Sequence, residues 1–392
     1  MRIAFAFNEQ SSWLGGSSYY DNLLSALKLV AVVPKHRLIG ISVKGDMLHK
    51  GLQSQLDETY EVDYRGLAGR ANLRLSAYFS RHTALAGLTP ESGISRLARN
   101  ANADVVFLKQ DPFANFRVPS VCWFPDFQYL HMPEMFPPRV REHYKNTAQD
   151  MARYATRVLL SSQSALEDFQ GLFPEFVDKV RLVPFAAWID DHVFLDDPEP
   201  TRLNYHLPER FFYLPNQFWY HKNHRVVLDA LELVSKVDRE ITIVSSGGLS
   251  DFRNPHYFSD FEAEISRRAL HENFIILGVL PRNDVYALAR ASLAVLQPSL
   301  FEGWSTSVEE AKSLGKRVIL SGLPVHHEQI PQAGLFFDPN NADELASLLL
   351  WAQREFTPGP DRDAESAARQ DMKERVLKFG QRFIDVLVEA AG

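Results

Sequence analysis

Cysteine is nearly absent from these 392 residues. The single Cys122 lies in the apolar run from Val121 to Phe124 and reads as a core residue, so no disulfide framework forms and a reducing compartment suits the chain. Excess positive charge is also lacking. The formal net charge of -7 argues against a general nucleic-acid binder, because nothing overall would neutralise phosphates. Long apolar stretches are missing too: no window approaches the roughly eighteen residues of a membrane span. The opening MRIAFAFNEQ is too short and too strand-like for a signal peptide, and a cytoplasmic protein is expected.

What remains is the composition of an ordinary folded protein, 45% hydrophobic and 23% charged, with 12% aromatic residues to fill large cores or face sugars. A chain this long exceeds the usual size of one hydrophobic core, so two domains are expected. Short apolar runs alternate with helical patterns throughout. Ile3 to Phe7 reads as a buried strand, and Gly15-Gly16-Ser17-Ser18 then leads into a helix with Tyr20, Leu23, Leu24, Leu27 and Val30 on one face. That glycine-rich turn lacks the G-x-G-x-x-G spacing, so nicotinamide binding is not supported. Strands follow at Leu38 to Val43, Asp104 to Leu108, Val121 to Phe124, Val158 to Ser161 and Val180 to Pro184, the pattern of a doubly wound α/β domain. Past the third of these, Asp126 and His131 stand where open α/β sheets bind ligands.

Between these elements, Arg65 to Arg99 carries six arginines against the single acid Glu91, interleaved with Leu73, Leu75, Tyr78 and Phe79. It reads as a solvated helix face or as a basic surface for peripheral contact with an anionic membrane. Residues 191–210, rich in Asp, Glu and Pro, read as a linker. A second series of strands then runs from Phe211 to Leu214, Ile241 to Ser245, Phe274 to Leu277, Ser292 to Leu296, Val318 to Ser321 and Gly334 to Asp338. Arg282 is expected to cap its helix or pair with Asp284, Asp361 to Arg369 is polar and loose, and Met372 to Ala390 is an amphipathic helix that needs a partner face. Adjacent His326 and His327 do not make a metal site, since neighbours on an extended chain point to opposite sides.

The most informative stretch is Leu296 to Arg317, LQPSLFEGWSTSVEEAKSLGKR. It is a strand, a small-residue loop and a helix, with Glu302 and Glu310 at its mouth and seven residues between them. Gly303, Ser305, Thr306 and Ser307 let a ligand approach the backbone closely, and a helix start offers unpaired N–H groups. Ionised carboxylates only accept hydrogen bonds, so two of them beside backbone donors suit a polyhydroxyl ligand better than a bare phosphate. A further turn, Pro215 to His224, places Lys222 near a helix start, an arrangement suited to a diphosphate.

The string from Pro298-Ser299 through Glu302-Gly303, Glu310-Ala311 and Gly315 resembles the E-x7-E signature of retaining nucleotide-sugar glycosyltransferases of the GT-B fold, family 4 or "group 1". The resemblance covers nearly the whole chain and is strongest from Phe211 onward. It implies two Rossmann-like doubly wound domains facing across a cleft, an acceptor-side domain at 1–190, a donor domain at 211–370, and a terminal helix at 371–392 crossing back to the first domain. It further implies transfer of a hexosyl unit from a nucleoside diphosphate sugar to a glycan or lipid-linked acceptor, with no cofactor and no metal, as in bacterial surface polysaccharide synthesis. Residue by residue, Lys222 would act on the donor diphosphate, Glu310 on the ribose, Glu302 on the transferred sugar, and Gly303, Trp304 and Ser305 on that sugar through backbone groups, with Thr306 also at the donor. Gly15 and Gly16 would approach the phosphates, and Gly278 and Val279 the base. Asn216 or Gln217 stands in the region where the family usually has an Arg, and Pro125-Asp126 where it usually has His-Asp. Asp126, and His131 five residues on, are the acceptor-side candidates. These two departures leave two other readings open: a catalytically silent sugar-nucleotide-binding partner, or an epimerase or phosphorylase on the same architecture.

Overall fold

The computed structural model describes residues 1–7, 14–30, 36–43, 56–63, 91–109, 115–251, 253–330 and 334–392. Most of the basic stretch from Arg65 onward lies outside these, with only Arg96 and Arg99 of its arginines described. The chain forms two compact units, Met1–Ala186 with Arg375–Gly392, and Ala187–Glu374.

In the first unit the described strands are β1 (Arg2–Phe7), β2 (Arg37–Val43), β3 (Glu58–Val62), β4 (Val105–Lys109), β5 (Ser120–Trp123), β6 (Arg157–Leu160) and β7 (Val180–Leu182). They pair in parallel in the order β3-β2-β1-β4-β5-β6-β7. Apolar runs such as Val105 to Leu108 are buried throughout, as strands covered on both faces must be. Gly15 and Gly16 fall in the first turn of the helix Leu14–Val30 rather than in a loop before it.

The last helix is longer than its apolar pattern predicts, running from Arg362 to Ala391. Its first turns are charged, which hid them in the sequence, yet Glu365 is buried there and held by Arg290 at 2.7 Å. The end of this helix completes the first unit's core: Phe383 packs edge-on to Phe107 with ring centres 4.9 Å apart, and Phe379 meets Tyr19 at 6.0 Å. Gly380 lies so close to the helix Leu14–Val30 that a Cβ there would stand 2.8 Å from the Ala26 carbonyl oxygen. Only glycine allows that approach.

The second unit holds β8 (Phe212–Pro215), β9 (Ile243–Ser246), β10 (Phe274–Ile276), β11 (Val295–Gln297), β12 (Val318–Ser321) and β13 (Gly334–Phe337). All pair in parallel, in the order β10-β9-β8-β11-β12-β13. Helix His224–Val234 buries Val227, Leu228, Leu231 and Val234 in the same core as Leu345, Leu349 and Ala352 of helix Ala342–Glu355. Each such leucine removed from water stabilises the fold by about 2 kcal/mol. Residues 191–210 carry two short helices, Asp191–Leu195 and Glu199–Asn204, and belong to this unit. Chain order reverses between β8 and β11, and open α/β sheets bind ligands at the carboxyl ends of the strands beside such a reversal.

Candidate functional site

The loops that leave β8 and β11 meet at that reversal. The first, Asn216 to Asn223, is clamped at its end by Asn223, which sits at φ 53° and donates its side-chain amide to the carbonyls of Pro298 (3.1 Å) and Pro339 (2.8 Å). The backbone N–H of Leu300 donates to the His221 carbonyl at 2.8 Å, joining the two loops. This bracing fixes Lys222, whose Nζ lies 2.6 Å from Glu302 Oε1 with both side chains largely buried.

Glu302 Oε1 also accepts from Gln297 Nε2 at 2.7 Å and Ser299 Oγ at 2.6 Å, while among the described residues nothing donates to Oε2. One oxygen is anchored and the other makes no hydrogen bond among the described residues. Burial pushes this carboxyl up, but Lys222 and the surrounding donors outweigh it and hold it below the usual glutamate range. Glu302 is therefore an acceptor at neutral pH.

Gln297, at the end of β11, organises the floor. Its amide nitrogen also reaches Ser305 Oγ at 3.0 Å, and its oxygen accepts from Asn216 Nδ2 at 2.7 Å. The Asn216 side chain is thus engaged with Gln297 behind Glu302. Ser305 precedes the helix Thr306–Ser313 without capping it through its hydroxyl; Gln329 instead accepts from its N–H at 3.2 Å and donates to its carbonyl at 3.0 Å. Gly303 and Ser305 are buried, Trp304 and Thr306 half-buried.

Glu310 lies on that helix and touches a different set of groups. Arg282 Nη2 donates to its Oε1 at 2.7 Å and the Tyr286 hydroxyl lies 3.4 Å from the same oxygen. Burial raises the Glu310 carboxyl above its ordinary range despite Arg282. The Asp284 pairing expected of Arg282 does not form, because Asp284 accepts from the Tyr205 hydroxyl at 2.6 Å. Gly278 adopts φ +70° and its carbonyl accepts from the Gly247 N–H at 2.8 Å, leaving the neighbouring Val279 69% exposed.

Of the two histidines, His326 is buried with Nδ1 2.8 Å from the Ser321 carbonyl, and His327 stacks on Phe336. Among the described residues no three His, Cys, Asp or Glu side chains gather to hold a metal ion. In the first unit, Asp126 accepts from the Gln128 N–H at 2.9 Å, and His131 Nε2 lies 2.8 Å from Asp168. The structure thus joins Lys222 directly to Glu302 and gives Glu310 its own partners. Sequence reasoning missed Gln297, Gln329 and Tyr286; the one signal was a polar residue ending the buried run of β11.

This architecture, two parallel sheets with interleaved helices, is the GT-B fold shared with solved structures. HepE of Anabaena, determined with UDP and glucose, superposes with a TM-score of 0.71 at 15% identity, covering 99% of this chain and 100% of that one. A glycosyltransferase of Rickettsia africae gives 0.68 at 16% identity, with 99% and 98% covered. In sequence, residues 201–369 match the family model "Glycosyl transferases group 1". O-antigen chain mannosyltransferase B of Escherichia coli is 25% identical over 246 residues, 60% of this chain and 63% of that protein's length. Among the described residues no helix is long and apolar enough to cross a membrane.

Proposed function

We propose that this protein is a retaining glycosyltransferase that moves a hexosyl unit from a nucleoside diphosphate sugar to a hydroxyl of a glycan or lipid-linked acceptor. The observation that carries the reading is the Lys222–Glu302 contact at the sheet reversal, with Oε2 of Glu302 open to a ligand. An ammonium for a diphosphate beside a carboxylate for sugar hydroxyls is what a donor of this kind needs. The UDP- and glucose-bound neighbour and the mannosyltransferase relative support the same class.

In this mechanism the bond from the anomeric carbon to the diphosphate oxygen breaks and a bond to the acceptor oxygen forms on the same face. The acceptor proton passes to the departing diphosphate. Lys222 and the N–H groups opening the helix Thr306–Ser313 stabilise the charge that develops there, Glu302 orients the sugar, and Glu310 accepts from the ribose. Asp126 and His131 would serve the acceptor, and synthesis of a surface polysaccharide in the cytoplasm is the setting this chemistry fits.

A thermal-shift panel of UDP-, GDP-, ADP- and dTDP-sugars, with and without EDTA, tests the donor site. One nucleotide class should raise the midpoint, and Glu310→Ala and Lys222→Ala should abolish the rise. NMR of the product's anomeric proton then tests retention. Binding without turnover on any acceptor would favour a silent partner instead.

A further inference from the structure

Glu310 combines two properties that oppose each other. Accepting hydrogen bonds at both oxygens needs the ionised form, yet burial raises its carboxyl and favours the neutral one. The groups that face it come from few elements. From the helix Arg282–Ala291 come the Arg282 guanidinium at 2.7 Å and the Tyr286 hydroxyl at 3.4 Å; the Tyr213 hydroxyl of β8 interacts with it electrostatically. On its own helix, Glu309 lies 3.2 Å from Gln329 Nε2 and Lys312 donates to the Gln329 carbonyl at 2.8 Å, so both are engaged elsewhere. Arg282 is thus the one cation in contact with Glu310 among the described residues. Its own direction is set by Tyr286, whose hydroxyl accepts from Arg282 Nε at 2.6 Å and whose ring lies beneath the guanidinium.

We infer that Arg282 is a positioning residue for donor binding: it keeps Glu310 ionised and holds one carboxylate oxygen, leaving the other to accept from the nucleoside ribose. The inference rests on the reading of Glu310 as the ribose acceptor. Among the described residues nothing donates to Glu310 Oε2, the oxygen that remains for the ligand. A ribose presents two adjacent hydroxyl donors, and a protonated carboxyl, with one oxygen turned into a donor, would match them poorly. Arg282 therefore acts on affinity for the nucleotide through the charge state of Glu310.

The test is the affinity for UDP, GDP and ADP, by calorimetry between about pH 6 and pH 8.5, for the wild type, Arg282→Gln, Arg282→Lys and Glu310→Gln. Arg282→Gln should bind about fivefold or more weakly at the acid end and recover towards wild type at the alkaline end, since an adjacent opposite charge strongly favours the ionised carboxylate. Arg282→Lys should restore most of the acid-end affinity, and Glu310→Gln should be weak at every pH. Equal weakening of Arg282→Gln at every pH, or none, would overturn the proposal. A second readout needs no nucleotide: carbon-13 NMR of side-chain-carboxyl-labelled glutamate, with the Glu310 signal assigned by its absence in Glu310→Gln. That signal should titrate at higher pH in Arg282→Gln than in the wild type, and an unchanged titration would also overturn the proposal. If the wild type bound none of these nucleotides, or Glu310→Gln bound as well as the wild type, the ribose reading would fall while the NMR titration still judged Arg282.

Discussion

Lys222 Nζ and Glu302 Oε1, eighty positions apart in sequence, stand 2.6 Å apart in the fold. Each neutralises a charge the other could not carry alone in a largely buried place. Glu302→Gln should therefore cost about 2 kcal/mol in urea unfolding, and Lys222→Met a similar amount, while the double substitution costs less than their sum. Transfer activity should fall about a hundredfold or more in both single variants and stay low in the double. Recovered stability without recovered activity separates the pair's two roles. The pH sign follows from the depressed Glu302 carboxyl: its stabilisation is present above the ordinary glutamate range and lost as pH falls through the lower folded value.

Gln297 offers a test of the floor. Gln297→Leu removes the acceptor for the buried Asn216 amide and a donor from both Glu302 and Ser305. A buried unsatisfied donor costs about 2 kcal/mol. Thermal unfolding should show that loss, and the KM for the donor should rise because Glu302 keeps fewer of its restraints.

Two glycines at the ends of neighbouring strands should respond unequally. Gly247 has φ +146° and a Cβ there would collide with the Asn216 carbonyl oxygen; Gly278 has φ +70° but nothing within 4 Å. Gly278→Ala bears only the backbone strain, about 1 kcal/mol. Gly247→Ala adds displacement of the Asn216 backbone, so a loss of about 3 kcal/mol, with weakened donor binding, is expected from urea midpoints and calorimetry.

Lys316 supplies a pH-dependent stability. Burial, with Arg317 nearby, lowers its amine to about 7, where Nζ lies 3.0 Å from the Arg290 carbonyl and 3.1 Å from that of Gly359. Because the folded value is below the unfolded one, the unfolded chain binds the extra proton between about pH 7 and pH 10, and stability rises with pH across that window. Below it the side chain is charged in both states and the slope vanishes. Urea midpoints of the wild type relative to Lys316→Met, at about pH 6.5 and pH 9.5, should diverge by a difference on the order of 3 kcal/mol.

Much of this was legible in the chain itself, for a physical reason. Strands covered on both faces become continuous apolar runs, so Val105 to Leu108 and Val318 to Leu320 announce themselves. The strand Glu58–Val62 does not, because it lies at the sheet edge and alternates half-buried with exposed residues. Glu302, Glu310 and Lys222 stand out through the resemblance of their strings to a known signature, with small residues and helix starts as the weaker physical cue. Gln297 and Gln329 did not, since an amide carries no charge and its value depends on neighbours the chain brings from elsewhere. Nearness in sequence makes Arg282 read as a helix cap or a partner of Asp284, whereas the carboxylate it meets is 28 residues away. The polar start of the terminal helix misled for the same reason: its buried Glu365 has its cation in Arg290, 75 residues earlier.

The terminal helix also sets an order of events during synthesis. The first unit is built from the opening 186 residues and from Arg375–Gly392, and the rings of Phe379 and Phe383 fill its centre beside Tyr19 and Phe107. A ribosome makes the whole of the second unit before those rings exist. The half that is made first is therefore completed last, and until then its aromatic centre lacks the residues that cover it. Truncation before Phe379 would leave the sheet of Ala187–Glu374 whole and the core of the other unit open, which makes these two rings as consequential for yield as any residue of the candidate site.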